Sequence, residues 1–326
     1  MKTTLLTSTK CLLIALAACM SIPAASAADY PTRSIHWVVP YPPGGTTDVV
    51  ARDIAHAMAQ KLHQSIIVEN KAGAGGRIAM TYVARAAPDG YTVLVSDASL
   101  TTTPSLYKKL PIDPLKDLKP VYLFVTVPNV LVVTPALKVH TLADLIALTK
   151  KEPGKLNFGS GGVGSPLHLA GEVLRLATGM TWTHIPFKGA GPAILATVSG
   201  EVQIATPSLP SALPQVKAGK LRALAVTSPK RLSVLPDIPT MAELGYPKAK
   251  VFGWVGLSVP AGTPKNIVGK LGAAAAQALS EPGLRKTLKG LGATVVSESA
   301  DDYGKLESEQ AMQWKKVVRA AGIKPR

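Results

Sequence analysis

The chain has 326 residues, a net charge of +16 and two cysteines, Cys11 and Cys19. Its basic residues are scattered and not interleaved with aromatic side chains, which argues against a nucleic-acid partner. Both cysteines lie in the first 27 residues, so the rest of the chain excludes a disulfide-stabilised scaffold and must rely on a hydrophobic core.

The first 27 residues predict a cleaved signal peptide. Lys2 and Lys10 give a positive start, an apolar run follows at 11–20, and residues 25–27 form an A-x-A cleavage site. The apolar run is shorter than the roughly 20 residues that a bilayer span needs. An alternative is a lipobox at 16–19, which would leave the protein lipid-anchored at Cys19. The sequence therefore predicts an exported protein.

Residues 34–96 predict alternating strands and helices. The strands are 34–39, 66–68 and 92–96, and the helices are 46–62 and 77–86. An apolar stripe predicts a buried face on the first helix, and Thr46 or Thr47 is predicted to cap it. A βαβαβ order predicts a parallel sheet with right-handed crossovers.

Extended runs around 121–133, interrupted by Pro128, predict a crossing into a second lobe. Alternation resumes there, with helices at 142–150, 167–176 and 191–199 and strands at 155–158, 183–186, 202–205 and 221–226. Residues 251–259 predict the return crossing, and residues 264–279 and 300–321 predict closing helices. The first lobe is predicted to comprise 28–124 and 229–326, and the second lobe 125–228.

Two glycine-rich loops each follow a strand and open a helix, one at 40–48 and one at 157–168. Glycines let the backbone approach a ligand, and helix N-termini attract anions. We therefore expect two cradles that face one anionic ligand. Residues 159–164 also spell G-x-G-x-x-G, but no acidic residue follows about 20 positions later, so a dinucleotide cofactor is not predicted.

Several polar side chains lie at the predicted carboxyl ends of strands, where open α/β sheets bind ligands. Asp48 is predicted either to satisfy N–H groups at its helix start or to order water or an amine beside the ligand. Asp97 either receives a ligand amine or hydroxyl or caps the next turn. Lys188 either pairs with a carboxylate or faces solvent. Thr206 and Ser208 offer hydroxyls to the same edge.

His168 lies one turn into the helix after the second glycine loop. A catalytic base needs a nucleophile and an orienting acid, and the chain contains no G-x-S-x-G elbow. The six histidines also lack metal-ligand spacing. We expect a packed histidine or a hydrogen bond to the loop or ligand, with no catalytic residue and no metal.

The chain resembles the Bug family of extracytoplasmic solute receptors, the binding proteins of tripartite tricarboxylate transporters. The match begins with Tyr-Pro-Pro-Gly-Gly-Thr-Thr-Asp at 41–48 and Ala-Arg at 51–52, followed by Val-Glu-Asn-Lys-Ala-Gly-Ala-Gly-Gly at 68–76. It continues at 89–91, 159–168, 186–189, 218–226, 235–240 and 260–264. The sequence departs from the family where Phe187 replaces a usual tyrosine and Gln203 a usual aspartate.

The resemblance implies an α/β type II periplasmic-binding-protein fold, with two lobes, a hinge and a ligand in the cleft. It implies that backbone N–H groups and ordered waters hold a carboxylate. The residues expected at the ligand are Gly44, Gly45, Thr46, Asp48, Gly75, Gly76, Asp97, Ala98, Ser99, Ser160, Gly161, Gly162, Gly164 and Ser165, together with His168, Lys188, Thr206 and Ser208.

The predicted function is a periplasmic receptor that captures a mono-, di- or tricarboxylate or an aromatic acid. We expect a monomer without cofactor that passes its ligand to integral-membrane transporter subunits. One alternative is a sensory receptor that docks to a signalling protein. Another is a hydrolase that uses Ser160 or Ser165 with His168.

Overall fold

The structure of the protein, a computed structural model, describes residues 30–325. The predicted signal peptide and the alternative lipid anchor at Cys19 lie outside the described residues. Residues 33–326 group into one compact unit, and two β-sheets organise it.

A six-stranded sheet has the strand order β11-β4-β10-β3-β1-β2. Its strands are β1 (Ile35–Val39), β2 (Ile66–Asn70), β3 (Thr92–Asp97), β4 (Leu118–Pro128), β10 (Phe252–Pro260) and β11 (Thr294–Glu298). Strand β1 pairs in parallel with both β2 and β3, as the βαβαβ pattern predicts. Strand β4 pairs antiparallel with β10 and β11, and β10 pairs antiparallel with β3.

A five-stranded sheet has the order β7-β6-β8-β5-β9. Its strands are β5 (Val130–Val133), β6 (Asn157–Ser160), β7 (Thr183–Pro186), β8 (Ile204–Ala205) and β9 (Arg222–Val226). Strand β6 runs parallel to β7 and β8, and β5 runs antiparallel to β8 and β9. We call the six-stranded sheet with its helices the first lobe, and the five-stranded sheet with its helices the second lobe.

Helices cover the sheets. They are α1 (Thr46–Leu62), α2 (Arg77–Ala84), α3 (Ser99–Leu106), α4 (Pro114–Asp117), α5 (Leu142–Lys151), α6 (Pro166–Thr178), α7 (Ala190–Ser199), α8 (Leu209–Lys217), α9 (Lys265–Ser280), α10 (Pro282–Gly290) and α11 (Ala300–Ala320). A short 3-10 turn at Ala74–Gly76 precedes α2. No helix among residues 30–325 has both the length and the apolar character needed to cross a membrane.

The chain passes between the sheets at Asn129, which separates β4 from β5. The Asn129 N–H donates to the Thr227 hydroxyl at 2.8 Å, and the Thr227 N–H donates to the Asn129 carbonyl at 3.0 Å. The outgoing and returning segments are therefore hydrogen-bonded to each other at the passage. Strand β4 runs through the predicted boundary at 124 and 125 and ends at Pro128, and the lobe bounds stay a prediction.

The first sheet is buried more completely than alternation in its sequence predicts. Ile35, Trp37, Val38 and Val39 are all fully buried, because helices cover both faces of a parallel sheet. Trp37 stacks on Phe124 with ring centroids 5.9 Å apart. Sequence periodicity therefore located β1 but understated its burial.

Five elements lie in segments for which the sequence predicts none, namely α3, α4, α8, α10 and β11. Proline argues against a helix in two of these segments, because α3 contains Pro104 and α8 contains Pro210 and Pro214. Strand β11 is a short sheet edge with polar residues, and pairing with β4 stabilises it. Most predicted bounds shift slightly, such as β6, which runs to Ser160 and not to residue 158.

Candidate functional site

The first glycine loop joins β1 to α1. Gly45 is the N-cap of α1 in an extended conformation, and no side chain caps the helix. The prediction that Thr46 or Thr47 caps α1 is therefore wrong. The reason is that Gly45 occupies the cap position, which places Thr46 and Thr47 inside the first turn. The first N–H groups of this 17-residue helix have no side-chain cap, and Asp48 is the acidic residue in its first turn.

Asp48 is buried within the first lobe and is already fully engaged. Its carboxylate accepts the Gly44 N–H at 2.9 Å, the Asn70 amide at 2.8 Å and the Arg52 guanidinium at 2.9–3.1 Å. Burial acts to raise the pKa of Asp48, but these hydrogen bonds hold it below its ordinary value. Asn70 also donates to the Tyr41 carbonyl at 2.9 Å. Asp48 therefore fixes the shape of the loop.

A second polar cluster lies at the carboxyl end of β3. Asp97 accepts both the N–H and the hydroxyl of Ser99, at 3.0 and 2.5 Å, so it caps the following turn. Burial raises the pKa of Asp97, and the Ser99 hydrogen bonds oppose this rise. Tyr41 lies against Asp97 and Ser99, but its buried hydroxyl makes no hydrogen bond of ordinary geometry.

Gly76 brings the neighbouring loop against this cluster. It has a φ of +91°, and a Cβ built on it would lie 3.1 Å from the Ser99 hydroxyl and 3.3 Å from the Cβ of Pro40. Ala98 is buried next to Ser99, whereas Gly75 is exposed with open space around it. The carboxyl ends of β1, β2 and β3 therefore converge, as predicted for a parallel sheet.

The second glycine loop, between β6 and α6, is closed by its own hydrogen bonds. The Gly162 N–H donates to the Ser160 hydroxyl at 3.1 Å, and the Gly164 N–H donates to Nδ1 of His168 at 2.9 Å. The Ser165 N–H donates to the Gly162 carbonyl at 3.0 Å. These three N–H groups are therefore engaged within the loop, and those of Gly161 and Val163 remain as candidate donors to a ligand.

His168 stacks on His184, which the sequence reasoning missed as a site residue. The ring centroids are 3.8 Å apart and the planes differ by 8°. Nε2 of His184 lies 2.5 Å from the Ser160 hydroxyl. The sequence places His184 in a predicted strand that follows the second glycine loop and its helix. Only the parallel pairing of β6 with β7 shows that His184 lies next to Ser160.

Both imidazoles are held neutral. Burial, then the positive charge of Arg175, lowers the pKa of His168 to about 4. Burial, then the neighbouring His168, lowers the pKa of His184 to about 4, although Glu172 acts in the opposite direction. Because the Gly164 N–H occupies Nδ1 of His168, its ring proton lies on Nε2, 4.0 Å from Glu172. The expectation of a packed histidine matches the 5% exposure of His168.

The serine–histidine pairs of the hydrolase alternative do not form. Ser165 caps α6 and accepts the backbone N–H of His168 at 3.2 Å, while Ser160 is fully buried and pairs with His184. No group of three or more histidine, cysteine or acidic side chains among residues 30–325 could hold a metal ion.

The two lobes meet through hydroxyl groups. The Thr46 hydroxyl lies 3.0 Å from that of Ser208 and 2.8 Å from that of Ser211, and the two serines are 3.0 Å apart. Ser208 is the N-cap of α8, so the starts of α1 and α8 face each other. Ser211 was missed, because nothing in the sequence shows a serine inside α8 to be turned toward the first lobe.

The remaining candidates lie at different depths. Thr206 is buried, and its hydroxyl donates to the Leu167 carbonyl at 3.0 Å, so it is engaged within the second lobe. Lys188 is exposed in the loop before α7. A Cβ on Gly161 would lie 3.1 Å from the backbone of Gly189, so the second glycine loop adjoins the uncapped start of α7.

A sequence model described as the tripartite tricarboxylate transporter family receptor matches residues 50–323 of the chain. Protein BugT of Bordetella pertussis is 39% identical to the chain over 301 residues, which cover 92% of each protein.

Two solved structures from Rhodopseudomonas palustris are also similar. A structure of Rpa4515 with adipate superposes with a TM-score of 0.86 at 36% identity and covers 91% of this chain and all of that one. MatC with bound malate gives a TM-score of 0.81 at 36% identity, covering 89% of this chain and all of that one.

Proposed function

Because the chain belongs to the tripartite tricarboxylate transporter receptor family, we propose that it captures a small carboxylate where its two lobes meet. The two-lobe solute-binding fold supplies a cleft, and we propose that the polar clusters at the strand ends of both lobes lie at its edges. The hydrogen-bond donors at the start of α1 support an anion as the ligand.

The observation that carries the proposal is the start of α1. Its N–H groups have no side-chain cap, and it lies against Ser208 and Ser211 of the second lobe. A helix N-terminus favours a carboxylate through its N–H groups and its dipole. Hydroxyls of Thr46, Ser208 and Ser211 add donors from both lobes. A carboxylate there gains hydrogen bonds from both sides, which favours the closed arrangement.

Buried polar side chains fix the loops around these donors. Asp48 and Asp97 fix the first-lobe loops, and His168 with His184 fixes the second glycine loop. The N–H groups of Gly161 and of the α7 start, with exposed Lys188, provide a place for a second carboxylate or a polar tail. Adipate and malate in the two similar structures are dicarboxylates, and we propose a ligand of this class.

The wider setting follows from the same family. We propose that the protein works in the periplasm after cleavage of the predicted signal peptide, as a monomer that delivers its ligand to integral-membrane transporter subunits. We further propose that it binds without turnover and needs no cofactor.

A thermal-shift screen tests the proposal. Malate, adipate, citrate and benzoate are compared with hexane-1,6-diol and hexane-1,6-diamine, which match adipate in length but are neutral or cationic. A ligand bound with a Kd of about 1 μM and present at about 100 μM adds about 2.7 kcal/mol of stability, a clear rise in Tm. We expect at least one carboxylate to shift Tm and to be recovered intact.

The matched neutral and cationic compounds decide the role of charge. A shift with the diol or the diamine, and none with any carboxylate, would refute the anion site. Conversion of the bound carboxylate to another compound would refute binding without turnover.

A further inference from the structure

A cavity lies between residues 231–234, of which Leu232 and Val234 pack against the core of the second lobe, and a first-lobe segment at the start of β11. It has a volume of about 380 Å³. One wall comes from residues 231–234, which follow β9, and the other comes from α10 and the beginning of β11. This volume is at the lower end of the range for sites that hold small organic molecules.

The two walls touch at Gly292. This glycine has a φ of +80°, and a Cβ built on it would lie 2.5 Å from Leu209 and 3.6 Å from Val234. Leu209 begins α8 in the second lobe, whereas Gly292 precedes β11 in the first. The cavity therefore exists in the arrangement of lobes seen here, and a molecule inside it contacts both sides.

Three cations line the cavity, Arg231 on one wall and Arg285 and Lys289 on the other. None of the described residues that line it is acidic. Glu243, which does not line the cavity, pairs with Arg231 at 3.0 Å. Arg285 and Lys289 have no ion pair among residues 30–325.

Backbone carbonyls hold the two guanidinium groups in place. Arg231 donates to the Pro236 carbonyl at 3.3 Å, and Arg285 donates to the Leu279 carbonyl at 3.0 Å. A guanidinium carries five N–H donors, so both arginines retain donors for another acceptor. Leu232, Val234 and Val295 provide apolar wall between these charged groups.

We propose that this cavity is a second binding site, separate from the carboxylate site, for a small organic anion with more than one carboxylate. The cations pair with the carboxylates, and the apolar wall contacts the carbon skeleton. An anion that bridges Arg231 and Lys289 links the two lobes. The proposal does not depend on the identity of the transported ligand.

The test uses benzene-1,3,5-tricarboxylate as a rigid probe and amide NMR to locate it. We expect saturable shifts of the Gly292, Ala293 and Thr294 amide signals in the wild-type protein. The double variant Arg285→Gln/Lys289→Gln should weaken binding at these signals at least tenfold. Both side chains are exposed, so an unchanged Tm should verify the fold.

The matched control is Lys265→Gln/Lys286→Gln, which removes the same charge from exposed positions outside the cavity lining. It should bind the probe within twofold of wild type. Equal weakening of probe binding by both double variants would show that net charge causes the weakening, which would refute the site. Absence of saturable shifts at these three amides at millimolar probe would also overturn it.

A second probe, inorganic phosphate, tests the apolar wall. We expect phosphate to bind at least tenfold more weakly than the tricarboxylate, because it has no carbon skeleton to contact Val234 and Val295. Equal affinity would refute an organic anion as the occupant.

Discussion

At the scale of single residues, the histidine pair supports the second glycine loop. The Ser160 hydroxyl lies 2.5 Å from Nε2 of His184, and its oxygen accepts the Gly162 N–H at 3.1 Å. Nδ1 of His168 accepts the Gly164 N–H. Two stacked imidazoles therefore fix two consecutive turns of the loop. Protonation of Nδ1 of His168 removes the acceptor of the Gly164 N–H, so the loop's shape depends on the neutrality of this ring.

This dependence predicts a pH effect on stability. The pKa of each ring is about 4 in the folded protein and about 6.5 in the unfolded chain, so the unfolded chain binds more protons between these values. Stability is therefore complete above pH 6.5 and falls as the pH falls toward 4. The loss is at most about 1.4 kcal/mol per pH unit for each ring. Urea unfolding at pH 4.5, 5.5 and 7 measures it.

Two variants separate the pair from other titrating groups. His168→Gln should reduce the slope of stability against pH, while His56→Gln, at an exposed site on α1, should keep the wild-type slope. The same slope in His168→Gln and wild type would contradict the assignment.

At the scale of elements, the two helices that follow glycine loops differ at their N-termini. Ser165 caps α6, and Pro166 has no N–H to leave unpaired. Helix α1 begins at Gly45 with no side-chain cap. The sequence predicted equivalent cradles, but only α1 retains free donors at its start. We therefore expect α6 to contribute stability and α1 to contribute the proposed anion site.

Ser165→Ala tests this difference. Loss of a serine cap typically costs about 1 kcal/mol, so the free energy of unfolding should fall by about that amount. Carboxylate affinity should change less than threefold, because the cap does not face the ligand. Chemical denaturation and calorimetric titration measure the two quantities. Ser199→Ala, near the end of α7, is a control that should change stability by less than about 0.5 kcal/mol.

The opposite result would exchange the roles of the two helices. A tenfold loss of affinity in Ser165→Ala with unchanged stability would place α6 at the ligand.

At the scale of the whole molecule, two chain passages connect the lobes, at Asn129 and at the returning segment between β9 and β10. Away from these passages the lobes touch through side chains. Gly164 of the second lobe packs on Leu106 of the first, since a Cβ there would lie 2.8 Å from the leucine. The Thr46 hydroxyl contacts the two serines of α8. A buried apolar cluster also joins the lobes, with Leu169 and Val173 of α6 against Trp314 of α11, while the hydroxyl contacts of Thr46 join them at the start of α1.

We therefore expect the ligand to close the molecule and Thr46→Val to weaken that closure. A hydrogen bond of this kind contributes about 0.5–1.5 kcal/mol, so Kd should rise roughly 2- to 13-fold. Solution scattering should show a smaller radius of gyration with ligand than without it, and the variant should need more ligand for the same change. An unchanged scattering curve for ligand-saturated wild type would refute closure.

The sequence by itself determined the parts that depend on local signals. Apolar periodicity located the βαβαβ unit and the second set of alternating elements, and glycine and proline spacing located the loops at strand ends. Such signals fail at α8, where prolines interrupt the pattern, and at β11, where pairing with β4 decides the structure.

Only the tertiary structure decided which polar groups are free. Ser160 contacts His184, which lies 24 positions away in the sequence, and Thr46 contacts Ser208, which lies 162 positions away. No local pattern encodes such pairings, because they arise when strands and lobes pack together. Within the second glycine loop, hydrogen bonds to Ser160 and His168 occupy the N–H groups of Gly162 and Gly164, whereas the α1 start has no side-chain cap. Residue types in the loops therefore predicted an anion site, and the hydrogen bonds of the folded chain decide which donors are available to the proposed site.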